Sequence, residues 1–524
     1  MNIIKNIYER ILTPIAKNRK KSKKNFENWL EKNKLSNIEI EKQKNYIFEY
    51  EPKISIVVPL YNTKEEYFKE LISSINNQTY SNIELCLADG SDSKITYINK
   101  YLNEKIKYKN LNVNKGIVGN TNEALKMVTG EYVAFMDHDD ILKINAIYEV
   151  VKSINENRNA QFIYTDDDKI LDGVNKEIEP QFKPDFSEDM LYSNNYICHL
   201  TVLKKQLVDK IGYLNEEYEG AQDYDYILRA VEKIEDKSDI IHIPKIVYNW
   251  RINDNSVAYS AASKPYAYEN GKRALKDYFK RKEIEVKVNK TKLPGFYKIE
   301  YLQQKEEKIT IIIRDKSNKR QLRKCIKNIK KSTYQNYEII VTNTKTAKEE
   351  KKIIEKIESD YILFINSDVC IKKQTIKELI TIYVRKDAGI VSGKILTRFG
   401  KVYQIGRTIT KDGKIVNIAQ GKYNTEPGYM GRLIINQNVL ITAHKMFLIK
   451  KKEYLNLVNT NENDEEIRHI ELCIKMYEKG RNNIFIADAE AIIKSQKDII
   501  KRVTQQKLDK YKGKDPYLNL NLKI

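Results

Sequence analysis

The chain has 524 residues, more than one ordinary hydrophobic core holds, so two or three domains are expected. Its net charge is +21, but the lysines are spread along the chain among Glu, Asn and Ile, and no nucleic-acid-binding motif is present, so no nucleic-acid partner is predicted. Five scattered cysteines indicate free thiols in a reducing compartment, and no apolar run reaches the ~18 residues that span a bilayer, so we expect a cytoplasmic protein.

Residues 1–48 are predicted to form a helical and basic N-terminal extension. Within it, residues 1–24 place apolar side chains at helical spacing and then a cluster of basic residues, a pattern typical of a helix lying on an anionic membrane surface. A helix packed on the protein, followed by a solvated linker, is the alternative. Pro14 favours it, because proline ends or kinks a helix. Peripheral contact with the inner face of the cell membrane is therefore one of two open interpretations.

The next elements alternate between strand and helix. Apolar runs predict strands at 54–59, 82–88 and 132–136, and helical periodicity predicts helices at 64–77 and about 118–129. Strand, helix and strand in this order imply a right-handed parallel unit. The expected fold class is α/β with a mixed, mostly parallel sheet.

The third of these strands ends abruptly at three carboxylates in four residues: Asp137, Asp139 and Asp140. Ligands of such sheets bind outside the carboxyl ends of the strands. Clustered carboxylates repel one another unless a cation compensates, and oxygen-rich clusters suit Mg²⁺ or Mn²⁺. A solvated acidic turn explains the motif equally well when it is taken alone.

The same order of elements returns later in the chain. The strand at 309–313, the helix at 321–331, the strand at 339–341 and the strand at 361–365 match the first set in order. Collinear matches indicate two copies of one domain. The predicted organisation is an extension at 1–48, a first domain at 49–285, a linker at 286–304, a second domain at 305–500 and a tail at 501–524.

Several motifs together carry a resemblance to a known family. They are Ile54–Asn62, Asn77–Tyr80, Asp89 with Gly90 and Ser91, Asn114–Gly116 with Asn122, Asp137–Asp139 and Gly220–Asp225. In combination they resemble the family 2 glycosyltransferases, in the tandem arrangement of bacterial members that build surface polysaccharides or glycosylate proteins. The resemblance covers nearly all of residues 50–260 and implies two GT-A domains, a sugar-nucleotide donor and a divalent cation.

The resemblance assigns the acidic motif to a cation, Mn²⁺ or Mg²⁺, that neutralises the departing diphosphate. Asp139, the second acid of the DxD motif, is the expected direct ligand. Asp137 is expected to contact the nucleotide's ribose, or the cation through water. Asn249 stands in Tyr-Asn-Trp-Arg where the family often has His, and its amide oxygen is a weaker ligand. Trp250 and Arg251 are expected at the acceptor and diphosphate, with a core tryptophan and a surface ion pair as the alternatives.

The resemblance also predicts a donor pocket. Its expected residues are Pro59, Tyr61, Asn62, Asp89, Lys115, Gly116 and Asp137. Asp89 would accept hydrogen bonds from the nucleotide base, although a turn-forming Asp before Gly90 is the ordinary interpretation. The donor is expected to be a UDP- or dTDP-sugar.

Asp223 matches the family's general base, which takes the proton of the acceptor hydroxyl as the new bond forms. A helix N-cap is the competing interpretation of Asp223. One-step displacement implies inversion at the anomeric carbon, with a glycan, a lipid-linked molecule or a protein as acceptor. The acids at 166–168 are interpreted as acceptor-side or structural.

The second copy departs from the pattern at several positions. Asn366, Asn343 and His469 stand where the first copy has Asp137, Asp89 and Asp223. Joint loss of these acids favours a domain without catalysis. The alternatives are a dual-activity enzyme, in which both domains transfer sugars, and a glycan-binding or assembly scaffold with no turnover.

Overall fold

The computed structural model describes residues 24–93, 95–173, 176–252, 265–291, 293–303, 305–315, 318–494 and 501–522. The predicted membrane-surface helix of residues 1–24 lies outside the described residues, except for Lys24. Within the described ranges, every helix is too short or too polar to cross a bilayer.

The strands are β1 Ile54–Leu60, β2 Ile83–Asp89, β3 Ile106–Asn110, β4 Tyr132–Phe135, β5 Ile141–Leu142, β6 Phe162–Leu171, β7 Glu177–Gln181, β8 Thr201–Lys204, β9 Ile240–Ile252, β10 Val286–Lys290, β11 Tyr297–Tyr301, β12 Ile309–Arg314, β13 Tyr337–Thr342, β14 Tyr361–Asn366, β15 Val369–Ile371, β16 Ala388–Leu396, β17 Val402–Gln404, β18 Arg407–Ile409, β19 Ile415–Asn417, β20 Gln437–Asn438, β21 Met446–Lys450 and β22 Asn482–Ile493.

The α-helices are α1 Asn37–Lys44, α2 Glu65–Asn76, α3 Gly116–Leu125, α4 Ala146–Glu156, α5 Glu188–Ser193, α6 Lys205–Ile211, α7 Gln222–Lys233, α8 Pro265–Arg281, α9 Lys319–Ile329, α10 Ala347–Glu355, α11 Thr375–Ile380, α12 Lys451–Leu457 and α13 Glu465–Glu478. Residues 24–33 are helical as well.

By its internal contacts the chain forms two compact units. The first comprises Met1–Lys183 and Ile197–Ala267, and the second comprises Pro184–Tyr196 and Tyr268–Ile524. The boundaries at 49–285 and 305–500 stay predictions. Strands β10 and β11 form an antiparallel hairpin within the predicted linker, and Leu508 is buried within the predicted tail.

The first unit is built on a nine-stranded mixed sheet with the order β3-β2-β1-β4-β8-β6-β9-β5, and β7 pairs with β6. Strands β3, β2, β1 and β4 are parallel, whereas β8 runs antiparallel to both β4 and β6. Every residue of β1 and β2 is buried, because helices cover both faces of the parallel part. The fold class predicted from the sequence is confirmed.

The second unit repeats this topology. Its nine-stranded sheet has the order β13-β12-β14-β21-β16-β22-β15, which matches β2-β1-β4-β8-β6-β9-β5 position by position. Pairing directions also agree: β12 is parallel to β13 and β14, and β21 is antiparallel to β14. The duplication predicted from collinear motifs is therefore a duplication of the sheet itself.

Candidate active site

The carboxyl ends of β1, β2 and β4 meet at one edge of the first sheet. Leu60, the last residue of β1, pairs in register with Asp89, the last residue of β2. Asp137 follows β4, which lies on the other side of β1. The sheet therefore brings the predicted donor and metal residues to one edge, where open α/β sheets bind ligands.

Asp89 is buried, with 1% of its surface exposed. Its Oδ1 accepts from the Ser91 amide at 2.9 Å and from the Ser91 hydroxyl at 2.5 Å, and its Oδ2 accepts from Tyr108 Oη at 2.8 Å. The turn-forming role of Asp89 is thus present in the structure. A carboxylate has further lone pairs, so contact with a nucleotide base stays a prediction.

The loop after β1 is tied to the loop after β2. Tyr61 Oη and Asn62 Nδ2 donate to Asp92 Oδ2 at 3.0 and 2.7 Å. Asn62 has a φ of 46°, a left-handed conformation that asparagine tolerates. Pro59 is buried within β1, opposite Ala88. Of this predicted trio, Tyr61, at 41% exposure, and Asn62 are exposed, whereas Pro59 is buried.

Lys115 and Gly116 form the entry to α3. Gly116 has a φ of 71°, and its amide donates to Asn114 Oδ1 at 2.9 Å. The ammonium of Lys115 lies 2.8 Å from Glu123 Oε1. Lysines 109, 115 and 126 all bond Glu123 and hold the pKa of that carboxyl far below its usual range. Lys115 is therefore paired within the protein, and its contact with a donor stays a prediction.

The acidic turn after β4 contains one buried carboxyl, Asp140, with 0% exposure. It accepts from the Tyr248 hydroxyl and from the Arg251 amide, the latter at 2.8 Å. Burial raises the pKa of Asp140 well above its usual range, and the carboxylates of Asp139 and Asp137 raise it further. A cation at this turn relieves that repulsion.

His199, just before β8, lies beside this turn. In the antiparallel pairing of β4 with β8, Phe135, the last residue of β4, lies opposite Thr201, the first residue of β8, so the turn after β4 lies close to the residues before β8. The His199 ring stacks on Tyr248, with centroids 4.8 Å apart and 9° between planes, and its Nε2 lies 3.6 Å from Asp137 Oδ2. Burial lowers the pKa of His199, which favours the neutral imidazole that metals bind.

These side chains form a group whose chemistry fits a divalent cation. One potential ligand atom each from Asp137, Asp140 and His199 lies within 4.8 Å of the others. Among the residues that the structure describes, this group does not include Asp139, whose carbonyl accepts from Arg251 Nε at 2.6 Å. The sequence did not identify His199, because its proximity to Asp137 arises from the tertiary structure, in which the residues before β8 lie beside the turn after β4.

Asn249 occupies a different position from the one expected of a ligand. Its Nδ2 donates to Asp168 Oδ1. Its neighbours Tyr248 and Trp250 both contact the His199 ring, and side chains alternate faces along a strand, so Asn249 points away from His199. The structure therefore does not bring Asn249 into the Asp137, Asp140 and His199 group.

Asp223 lies in the first turn of α7 but does not cap it. The N-cap is Ala221, which has no side-chain cap. The Cys198 thiol donates to Asp223 Oδ2 at 3.9 Å, which places the carboxyl beside the segment that carries His199. Burial raises the pKa of Asp223, against the effect of the His199 ring. Asp225 is structural, since its buried carboxylate pairs with Arg229 Nε at 2.8 Å.

Arg251 is buried at 2% exposure, which differs from the surface ion pair considered in the sequence. Its guanidinium donates to the Asp139 carbonyl and to Glu70, lies 3.5 Å from Asp172 Oδ1 and stacks over the Tyr67 ring. These contacts hold the acidic turn in place. Contact between Arg251 and a diphosphate stays a prediction.

The acids of β6 are buried beside the site: Asp166, Asp167 and Asp168. Asp166 Oδ1 accepts from the Lys183 amide and pairs with His242 Nε2 at 2.9 Å. Burial raises the pKa of Asp168 to about 8, with Lys143 opposing. The contacts of Asp166 are those of structural residues, one of the two roles predicted for this cluster.

In the second unit a buried ionic network occupies the corresponding strand end. Arg314, the last residue of β12, makes two hydrogen bonds to Glu350 at 2.8 and 2.9 Å and stacks over the Phe364 ring at 4.3 Å. Arg468 and Tyr454 bond the same carboxylate at 3.1 and 2.5 Å. This strand corresponds to β1, which ends in the predicted donor-binding loop.

Two of the three positions of the lost acids in the second unit, Asn366 and His469, are buried, whereas Asn343 is exposed. His469 is 2% exposed and contacts Thr442 and Cys473. Burial lowers the pKa of His469 to about 3, so the ring is neutral and enclosed. Asn366 is fully buried, and Asp368 lies 3.4 Å from the Lys445 ammonium.

The chain belongs to glycosyl transferase family 2, since the sequence profile of that family matches residues 55–212 and 351–455. Protein y4gI of Sinorhizobium fredii, which is uncharacterized, is 30% identical over 482 residues, or 84% of this chain and 52% of the relative. The O-antigen biosynthesis protein RfbC of Myxococcus xanthus is 26% identical over 398 residues, or 69% of this chain and 31% of the relative. The chain thus spans about half or less of these relatives. The crystal structure of S. aureus TarS 1-349 is 22% identical, with a TM-score of 0.34 over 43% of this chain and 65% of that chain.

Proposed function

We propose that the first unit is an inverting, metal-dependent glycosyltransferase. It would move a sugar from a nucleotide-sugar donor to a hydroxyl of a glycan, a lipid-linked molecule or a protein. The observation that carries this proposal is the group of Asp137, Asp140 and His199 at the ends of β4 and β8, with Asp223 beside the same segment. Family membership supplies the reaction class.

Asp137, Asp140 and His199 would hold Mn²⁺ or Mg²⁺. The carboxyl groups of Asp137 and Asp140 and a neutral imidazole offer the oxygen and nitrogen ligands that such cations accept. When bound, the cation supplies positive charge that stabilises the departing nucleoside diphosphate. Asp139, half-buried on the same turn, is the competing ligand, and the DxD resemblance is its support.

Asp223 would act as general base. Burial raises its pKa from the ordinary value, which brings its basicity closer to that required for accepting a hydroxyl proton near neutral pH. As the acceptor oxygen attacks the anomeric carbon, its proton passes to the Asp223 carboxylate and the bond to the diphosphate breaks. A single displacement of this kind inverts the anomeric configuration.

The donor nucleotide would lie along the strand ends. Asp89, Tyr61 and Asn62 border that edge, and Lys115 and Gly116 enter it from α3. UDP- and dTDP-sugars are the proposed donors. Surface polysaccharide or glycoconjugate biosynthesis is the proposed setting, with the name of the Myxococcus relative as its support.

The second unit is proposed to be non-catalytic. Its support is the Arg314–Glu350 network at the end of β12 and the enclosure of His469. The alternative is a dual-activity enzyme. It predicts that substitutions in the second unit remove a second transfer step.

A panel of nucleotide sugars tests the proposal by thermal stabilisation in the presence of Mn²⁺. A ligand at 100 times its Kd stabilises the folded state by about 2.7 kcal/mol. We expect one nucleotide class to raise the Tm of the wild type and of Asp223→Asn alike, with transfer lost only in the latter. Asp209→Asn, on an exposed ion pair with Lys205, is the matched control. Stabilisation by no member of the panel would contradict the proposal.

A further inference from the structure

Lys183 is a fully buried lysine in the first unit, with 0% exposure. Its ammonium has three N–H donors, and three oxygens lie within reach: Asp167 Oδ2 at 2.5 Å, the Ile197 carbonyl at 2.6 Å and the His199 carbonyl at 2.5 Å. Burying a charge is costly unless such partners satisfy it. The three oxygen acceptors therefore compensate the buried charge of Lys183.

Two of these acceptors lie on a segment that is distant along the chain. The chain leaves the first unit after Lys183 and re-enters it at Ile197. The ammonium ties the departing residue to the main chain of the returning residues, just before β8 begins at Thr201. Because β8 pairs with β4, the position of this segment decides how His199 faces Asp137.

We propose that Lys183 is a positioning residue that fixes the main chain at His199 and thereby sets the imidazole beside Asp137 and Asp140 for cation binding. The inference rests on the proposed function, because the cation belongs to it. Lys183 acts through the His199 carbonyl and does not contact the cation. Partners that orient a metal-binding histidine typically change metal affinity 10- to 100-fold when they are lost.

A positioning role and a purely electrostatic role of Lys183 predict opposite changes in cation affinity when its charge is removed. A positive ammonium near a cation site repels the cation, so removal of its charge alone would strengthen binding. If Lys183 holds His199 in place, the same substitution weakens binding. Lys183→Met alone would leave the Asp167 carboxyl buried without its ionic partner, which adds a second effect to the loss of positioning. A double substitution, Asp167→Asn with Lys183→Met, removes both charges.

The experiment measures Mn²⁺ affinity of the full chain, without sugar nucleotide, by the EPR signal of free Mn²⁺. We expect Kd to rise about 10- to 100-fold in Lys183→Met and in the double variant. Lys169→Met, which removes a lysine that pairs with Glu179 on the neighbouring strand, should leave Kd unchanged. Unchanged or tighter binding in a folded double variant would overturn the proposal.

A second readout does not need the metal. The chain has five histidines, so ¹³C-labelled histidine gives five ring signals, and His199→Gln assigns one of them. We expect the double variant to shift the His199 signal and to leave those of His444 and His469 in place. An unmoved His199 signal overturns the positioning role, whereas absence of Mn²⁺ binding by the wild type counts against the proposed function alone.

Discussion

Asp137, which follows β4, and His199, which precedes β8, lie close together, with His199 Nε2 3.6 Å from Asp137 Oδ2. The two residues are far apart in sequence, and the antiparallel register of the two strands brings them together. Tyr248 completes the arrangement, because its ring stacks on His199 and its hydroxyl donates to Asp140. The site thus lies where β4 ends and β8 begins, with a side chain from β9, which β6 separates from β8 in the sheet.

The first prediction separates the two candidate ligand sets. Asp140→Asn should raise the Kd for Mn²⁺ at least roughly tenfold, because it removes an anionic oxygen from the group with Asp137 and His199. Asp139→Asn should have the smaller effect. Titration of free Mn²⁺ by EPR compares them, with circular dichroism to verify folding. A larger loss of Mn²⁺ affinity in Asp139→Asn than in Asp140→Asn would indicate that Asp139 is the direct ligand.

Local patterns made much of this site predictable. The apolar run of β4 ends at Asp137, and the first turn of α7 holds Asp223, so each could be found from residues next to it in sequence. His199 and Lys183 could not, because the position of His199 depends on the pairing of β4 with β8, and that of Lys183 on contacts with carbonyls of a separate segment. Motif matching alone could not predict the side-chain contact of Asn249, whose amide donates to Asp168.

The duplication was likewise visible as repeated motifs, and the topology repeats strand by strand. The loss of acids in the second copy indicated a change of function. The Arg314–Glu350 network at the end of β12 was not predictable, because Glu350 comes from α10 and gives no motif of its own.

The second prediction concerns acid stability of the second unit. Burial raises the pKa of Glu350, but Arg314, Arg468 and Tyr454 outweigh it and hold the pKa at about 2, below the ordinary value of 4.5. A lowered folded-state pKa stabilises the unit above pH 4.5, and this stability is lost as the pH falls toward 2. The contribution of this group to the free energy of unfolding is roughly 3 kcal/mol.

Hydrogen exchange of peptides from the second unit, measured between pH 5 and pH 2, checks this. The wild type should lose protection steeply over that range, whereas Glu350→Gln should start lower and lose less. Glu358→Gln, at a carboxylate with 90% exposure, is the control and should follow the wild type. If protection fell equally with pH in Glu350→Gln and in the wild type, the stabilising role of the Glu350 carboxylate would be contradicted.

The third prediction concerns the segment Pro184–Tyr196, which belongs to the second unit. Asp189 Oδ1 and Arg385 Nη1 are 2.5 Å apart, and both side chains are 3% exposed. Asn438 Nδ2 donates to the same carboxylate at 2.8 Å. Asp189→Ala should destabilise the second unit by about 3–5 kcal/mol, because it leaves part of the buried Arg385 charge uncompensated.

Urea denaturation followed by hydrogen exchange at β20 measures this effect. Asp185→Ala, four residues away at an exposed carboxylate, should stay close to the wild type. A loss below roughly 1 kcal/mol in Asp189→Ala would show that the segment is not needed for the stability of the second unit.

The most direct test of the central claim, that the first unit performs the transfer, is release of nucleoside diphosphate with the donor found by the panel. We predict that Asp223→Asn still binds the donor but loses turnover by at least roughly a hundredfold, as expected for loss of a general base. His469→Gln, at the corresponding position of the second unit, should keep wild-type turnover. Loss of turnover in His469→Gln, with full activity in Asp223→Asn, would place the catalysis in the second unit and contradict this account.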